Sequence, residues 1–213
     1  MPLIKNNLKP GSTFYEPFAG GLAVTLALEH PNTVVNDLNS ELINMYKVIR
    51  DNPDELISEL KCFQNSHNTE FYYHVRNLDR TDMLSRMTDV VKAARTIYLN
   101  KTCFNGLYRV NSKGQFNSPI GRTSSGKTPD IVQEDLIREM SQYLKTVQFY
   151  NTDYRNCLVL AKAGDVVYLD PPYDQDESIS TDGFVGYQKE GWTRENLKEL
   201  KRLCDELIFR GCK

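Results

Sequence analysis

Nowhere among the 213 residues is there an apolar run long enough for a membrane-spanning helix, which needs about eighteen apolar residues. The first residues hold no signal-peptide core. The five cysteines (Cys62, Cys103, Cys157, Cys204 and Cys212) are odd in number and scattered, with no CxxC pair. That spacing argues against a zinc knuckle or a dithiol redox site, and reduced thiols in a cytoplasmic protein are the simplest expectation. The histidines, His30, His67 and His74, lie far from any cysteine or carboxylate cluster, so no metal is expected. Internal repeats and low-complexity tracts are also missing. So is the full GxGxxG dinucleotide fingerprint, which counts against a nicotinamide cofactor.

The most informative absence concerns charge of one sign. Between Val90 and Pro129 there is no acidic residue, although the chain holds 28 of them. The same block carries Lys92, Arg95, Lys101, Arg109, Lys113, Arg122 and Lys127, leaving 19 of the 26 basic residues to face all the acids elsewhere. A net charge of −2 therefore conceals a wholly cationic segment. Solvated faces normally mix signs. Tyr98, Asn100, Phe104, Asn105, Tyr108, Asn111, Gln115, Phe116 and Asn117 interleave with the cations. Cations for phosphates, amides and arginine for base edges, and aromatics for stacking are the groups that nucleic-acid recognition requires.

What is present elsewhere alternates between strand and helix. Thr13–Phe18 reads as a strand ending in Ala19-Gly20-Gly21, followed by a helix over Leu22–Glu29 that stops at His30-Pro31. Thr33–Asn36 reads as a second strand, and a helix to Arg50 opens with Asn39 or Ser40 as its cap. Helical segments are expected at Pro53–Phe63, Thr69–Leu78, Met87–Thr102, Val132–Thr146 and Arg194–Phe209, and a strand at Val147–Tyr150. Phe104–Pro129 reads as a long loop or small hairpin, and Asp174–Trp192 as a mobile loop.

Two pieces of this pattern carry chemistry. Asp170-Pro171-Pro172-Tyr173 follows the apolar run Val166–Leu169, a buried parallel strand broken by the double proline. Ligands bind at that edge of open α/β sheets, although the same residues also suit a plain polar turn. At the other end of the chain, Phe18-Ala19-Gly20-Gly21 makes a tight turn at a strand end, and Asp37 closes the next strand. A glycine turn with an acid at the following strand end suits the ribose of an adenosine-containing cofactor.

Taken in order, these features resemble the Dam-type (D12 class) DNA adenine-N6 methyltransferases. The residues carrying the resemblance are Glu16-Pro17-Phe18-Ala19-Gly20-Gly21, Asn36-Asp37-Leu38-Asn39, Asn151-Thr152-Asp153-Tyr154 and Asp170-Pro171-Pro172-Tyr173. To these the insert adds Tyr98–Lys101, Phe104–Arg109, Asn111, Gly114–Asn117 and Pro119–Arg122. The resemblance implies an α/β fold: a Rossmann-like, S-adenosylmethionine-dependent methyltransferase sheet with a mainly helical DNA-recognition insert. The catalytic domain would be 1–51 with 147–213, and the insert 52–146. The cofactor would meet Glu16, Phe18, Ala19, Gly20, Gly21, Asp37, Asp153, Tyr154 and Asp170. Asp170, Pro171, Pro172 and Tyr173 would form the catalytic motif.

Double-stranded DNA, in a short site of GATC type, would be bound by Lys101, Phe104, Asn105, Arg109, Asn111, Lys113, Asn117, Arg122 and Lys127. The resemblance gives Arg109 a guanine edge and places Asn105 with Phe104 at or beside a flipped base. Compared with the family pattern, the chain reads as shortened at both ends, without the Lys-containing segment before the glycine motif. Methylation of RNA adenine or another amino group, or DNA binding without catalysis, are the alternative expectations.

Overall fold

The computed structural model describes residues 1–121, 129–172 and 192–213. Their contacts group them into two compact units. One holds 1–43, 142–172 and 192–213; the other holds 44–121 and 129–141.

The first unit is built on a parallel sheet of β1 (Phe14–Glu16), β2 (Thr33–Asn36), β3 (Val147–Tyr150) and β4 (Val166–Val167), in the order β3-β2-β1-β4. Every residue of β1 and β2 is buried, as expected of central parallel strands. The chain runs outward from β1 through β2 to β3 and then returns to the other side of β1 for β4. Strand order thus reverses at β1, and crevices at such reversals are where open α/β sheets take their ligands. Helix α1 (Pro2–Asn7) precedes the sheet, and α2 (Ala23–Leu28) follows β1. The first strand is shorter than Thr13–Phe18 because Pro17 cannot continue the ladder and the chain turns at Phe18. Likewise β4 ends at Val167, although the Tyr168 N–H still donates to the Tyr15 carbonyl at 2.8 Å.

Helix α3 (Ser40–Asp51) is capped by Asn39, whose Oδ1 accepts from the Glu41 N–H at 3.0 Å. The other unit is helical, with α4 (Pro53–Asn65), α5 (Thr69–Asn77), a 3₁₀ turn at Leu78–Arg80, the short α6 (Met83–Arg86) and α7 (Asp89–Thr102). Helix α7 packs on α4 and α5 through Ala93, Ala94, Tyr98 and Leu99, all buried. Helix α8 (Glu134–Leu144) leads to β3, and α9 (Tyr154–Leu158) follows it. Helix α10 (Arg194–Phe209) opens with a capping box between Thr193 and Asn196, and buries Leu200, Leu203 and Leu207 against Tyr15, Val34, Cys157 and Leu158. All five cysteines are free. No described helix is long and apolar enough to cross a membrane.

Candidate functional site

The carboxyl ends of the four parallel strands bring one set of sequence-marked residues to a single sheet edge. After β1 the chain enters left-handed conformations at Gly20 (φ 46°) and Leu22 (φ 57°). Glycine adopts the first without cost, whereas fully buried Leu22 is held there by packing, against a strain of order 1 kcal/mol. The Gly20 N–H donates to Asp37 Oδ2 at 2.9 Å, and the Asn39 N–H donates to Asp37 Oδ1 at 2.8 Å. Among the described residues each carboxylate oxygen accepts one such bond, which leaves a lone pair for a further donor. A Cβ built at Gly20 or Gly21 meets nothing within 4 Å, so the turn borders open space.

A residue absent from the expected site set holds these loops in register. Asn36, 1% exposed, donates from Nδ2 to the Pro17 carbonyl (3.1 Å) and the Thr152 carbonyl (3.0 Å), and its Oδ1 accepts from the Thr152 N–H at 3.0 Å. It ties the glycine turn after β1 to the segment after β3. In the sequence it stands only as the neighbour of Asp37 and as an amide ending an apolar strand, where every buried polar atom must find a partner.

The segment after β3 splits its expected residues between two tasks. Asp153 caps α9 by accepting from the Arg155 N–H, and it pairs with the Arg155 guanidinium at 2.7 Å. That hydrogen bond holds its carboxyl below the usual range. Tyr154 is buried and forms an aromatic cluster with Phe18 and Trp192, at centroid separations of 4.9 Å (Phe18–Tyr154), 5.5 Å (Phe18–Trp192) and 5.6 Å (Tyr154–Trp192). Within this cluster the Tyr154 hydroxyl and the Trp192 Nε1 are buried without a hydrogen-bond partner among the described residues. Orphaned donors of this kind suit a site that takes polar ligand atoms or ordered water.

Across β1, Glu16 and Asp170 flank the β1–β4 junction. Glu16 is 3% exposed and accepts from both the Thr25 N–H and the Thr25 hydroxyl. Burial pushes its carboxyl above the ordinary range, Asp170's negative charge adds to the rise, and the Thr25 hydrogen bonds partly offset it. Glu16 thereby fixes α2, and with it the glycine turn, onto β1. Asp170 is exposed, and Pro171 and Pro172 are half-buried. Neither the Asp170 carboxylate nor the Pro171 carbonyl accepts a hydrogen bond from another described residue. Tyr173 and the loop expected at Asp174–Trp192 lie outside the described residues, except for Trp192 itself.

In the helical unit, residues 109–117 of the cationic block form a hairpin. Val110 pairs with Phe116, the Asn117 N–H donates to the Arg109 carbonyl at 2.9 Å, and the Asn111 N–H donates to the Gln115 carbonyl at 2.9 Å. Asn111 is committed to the turn, since its Oδ1 accepts from the N–H groups of Lys113 and Gln115. Gly114 at the tip takes φ 76°. Phe104 is half-exposed, Asn105 (φ 54°) and Gly106 (φ 64°) form a left-handed turn, and Lys113 is exposed. Lys101 donates to Gln133 Oε1 at 2.5 Å.

Two aromatics expected to interleave with the charge do not face solvent. Tyr98 (0% exposed) bonds His67 Nδ1 at 2.8 Å, and Phe116 (3%) packs edge-on against Tyr108. Arg95 is likewise no surface cation: it is buried and paired with Asp79 at 2.8 Å. The helix period of α7 and the strand period of the hairpin turn these residues inward, which composition alone does not reveal. Asn117 Oδ1 is buried without a partner among the described residues. Arg122 and Lys127 lie outside them. No group of three metal-ligating side chains occurs among the described residues.

A parallel sheet reversing at β1, with a glycine turn, an acid at the end of the next strand and an Asp-Pro-Pro motif on one edge, is consistent with a Rossmann-like methyltransferase. Residues 1–211 match the model of the D12 class N6 adenine-specific DNA methyltransferases, and the chain belongs to that family of enzymes. It is 40% identical over 200 residues to the type II methyltransferase M1.LlaDCHI of Lactococcus lactis subsp. cremoris, covering 93% of this chain and 69% of that one. Against the type II methyltransferase M.MjaIII of Methanocaldococcus jannaschii it is 34% identical over 223 residues, covering 99% and 75%. The retron Ec67 DNA adenine methylase of Escherichia coli is 34% identical over 212 residues, with 99% and 70% covered.

Proposed function

We propose that this chain transfers a methyl group from S-adenosylmethionine to the N6 amino group of adenine in a short double-stranded DNA site of GATC type, in the reducing cytoplasm that its free cysteines suit. The observation that carries this reading is the pairing of two motifs on one edge of one sheet: Asp37 with spare lone pairs beside the Gly20 turn, and Asp170-Pro171 across β1 with acceptors that no described residue uses.

The chemistry follows from those acceptors. An adenine amine is a weak nucleophile because its lone pair is delocalised into the ring. Two acceptors that hold both N–H bonds draw the nitrogen toward tetrahedral geometry and aim the lone pair. Asp170 supplies one as a carboxylate and Pro171 supplies the other as a carbonyl, whose direction the proline ring presets. Tyr173 provides the ring on which a base turned out of the duplex stacks. On the donor side, Asp37 accepts from ribose hydroxyls, and Gly20 and Gly21 let the ligand approach the backbone. Phe18, Ala19 and Tyr154 wall the neighbouring space, while Glu16 acts behind the turn. S-adenosylmethionine supplies an electrophilic methyl when bound. The amine's extra proton becomes acidic only as the new C–N bond forms, so Asp170 need not remove it beforehand.

In the helical unit, Arg109 reads guanine, Asn105 and Phe104 work at the vacated base position, and Asn117 lies beside Arg109. Lys101, Lys113 and Lys127 meet phosphates, and Arg122 meets a phosphate or a base. The test is transfer of labelled methyl to duplex oligonucleotides followed by nucleoside analysis. Label in N6-methyladenine, abolished by Asp170→Ala with DNA binding retained, is the expected result. Arg109→Ala should relax choice between the site and its one-base variants by about 1–3 kcal/mol. Label in cytosine or in RNA alone, or unchanged transfer by Asp170→Ala, refutes the reading.

A further inference from the structure

The hairpin that carries Arg109 and Asn117 is held by an ion cluster of Asp79, Arg80 and Arg95, residues that lie outside the hairpin itself. Asp79, in the 3₁₀ turn after α5, accepts at Oδ2 from the Phe116 N–H (2.7 Å) and at Oδ1 from Arg80 Nη1 (2.7 Å), and its Oδ2 forms an ion pair with Arg95 Nη2 at 2.8 Å. Arg80 Nη2 in turn donates to the Phe116 carbonyl at 2.9 Å. Both main-chain groups of one hairpin residue are thus fixed by one carboxylate and the arginine it orients. Arg95 is fully buried and is itself locked by the carbonyls of Val75 and Arg76, both at 3.0 Å. Two residues further along, the Ser118 carbonyl accepts from the Tyr72 hydroxyl at 3.0 Å.

This anchoring sets register. In a two-residue repeat, holding Phe116 inward places Gln115 and Asn117 on the opposite face. The Asn117–Arg109 main-chain bond then carries the same register to Arg109. A slip of one residue would exchange the faces.

We propose that Asp79 is a specificity-determining positioning residue. Through Arg95, Arg80 and the backbone of Phe116, it fixes the register in which Arg109 and Asn117 meet the DNA. The proposal rests on the reading of this hairpin as the base-reading element. Such a residue should change which sites are methylated while sparing donor affinity, and the number of phosphates neutralised should stay the same.

The test uses the full chain and three variants. Asp79→Asn keeps an acceptor for the Phe116 N–H but removes the charge that pairs with Arg95. Arg80→Ala removes the clamp on the Phe116 carbonyl and leaves the Asp79–Arg95 pair intact. Arg109→Ala is the reference for base reading. For each, the ratio of kcat/KM on the preferred duplex to that on one-base variants is measured, with S-adenosylmethionine affinity and the slope of log DNA affinity against log salt. Asp79→Asn and Arg80→Ala should each lower the ratio by about tenfold, on the scale of one bidentate base contact, with donor affinity and salt slope unchanged. If Arg109→Ala lowers the ratio and Arg80→Ala does not, the anchoring proposal is overturned and the hairpin reading stands. If Arg109→Ala leaves the ratio intact, the hairpin reading itself fails. Should Asp79→Asn not fold, Arg80→Ala decides alone.

Discussion

Replacing Asn36 tests whether the glycine turn and the Asp153–Tyr154 segment are held by one buried amide. The side chain makes three hydrogen bonds of 3.0–3.1 Å and is 1% exposed. At a net value of about 1 kcal/mol each, Asn36→Ala loses about 3 kcal/mol. Half-exposed Thr152 can recover water, but the buried Pro17 carbonyl cannot, which keeps the expected loss within about 2–4 kcal/mol. That is a large part of the roughly 5–15 kcal/mol that holds a domain together. Asn36→Asp separates this mechanism from simple loss of packing. The carboxylate still accepts from the Thr152 N–H, but it places a negative charge against two carbonyls that need a donor. It should therefore be at least as unstable as Asn36→Ala at neutral pH. Urea unfolding gives the stabilities, and calorimetric titration with S-adenosylmethionine gives the affinity, expected to fall about tenfold as the two loops decouple. Stability of Asn36→Ala within 1 kcal/mol of the parent, or Asn36→Asp more stable than Asn36→Ala, would refute the reasoning.

Two further outcomes follow from particular contacts. A carboxyl whose folded pKa is raised binds its proton more tightly in the native state, so its contribution is fully present at low pH and is lost as pH rises through the folded value. Because Glu16 is raised from 4.5, mainly by burial, the stability of the parent relative to Glu16→Gln should fall as pH climbs above 4.5, a trend read from denaturant unfolding of both proteins across pH. At Gly121, an added Cβ would lie 2.7 Å from the Cys103 carbonyl oxygen, so Gly121→Ala should cost about 1–3 kcal/mol of overpacking. Gly114→Ala meets open space and should cost only the strain of φ 76°, about 1–2 kcal/mol; thermal melts of the two variants compare them.

Much of the first unit was legible in the chain because its signals are local. Short apolar runs mark the strands, with proline following those of β1 and β4 and Asp37 following β2, and the residues just beyond each run are those at the sheet edge. The termini of β1 and β4 were overestimated for the same reason, since apolar character continues past the last ladder bond. What escaped the sequence is pairing at long range. Asn36 meets Thr152, and Arg95 meets Asp79 and through it Phe116, none of which any periodicity marks. Charge counting was misled at Arg95 in particular, because a buried arginine and an exposed one look alike in composition. The aromatic cluster was half visible: Phe18 and Tyr154 lie in sequence motifs, whereas Trp192 joins them only in space.

The contact at Gly121 also bears on how such a protein can change. The Gly121 N–H donates to the Thr102 carbonyl at 2.8 Å, and the Phe104 N–H to the Pro119 carbonyl at 2.9 Å, so residues 104–120 leave and rejoin the helical unit at almost the same point. A segment closed at its neck in this way is a cassette. On the base-reading role proposed for this hairpin, new site preferences would arise by exchange within that stretch, provided the Phe116 position still meets Asp79 and Arg80.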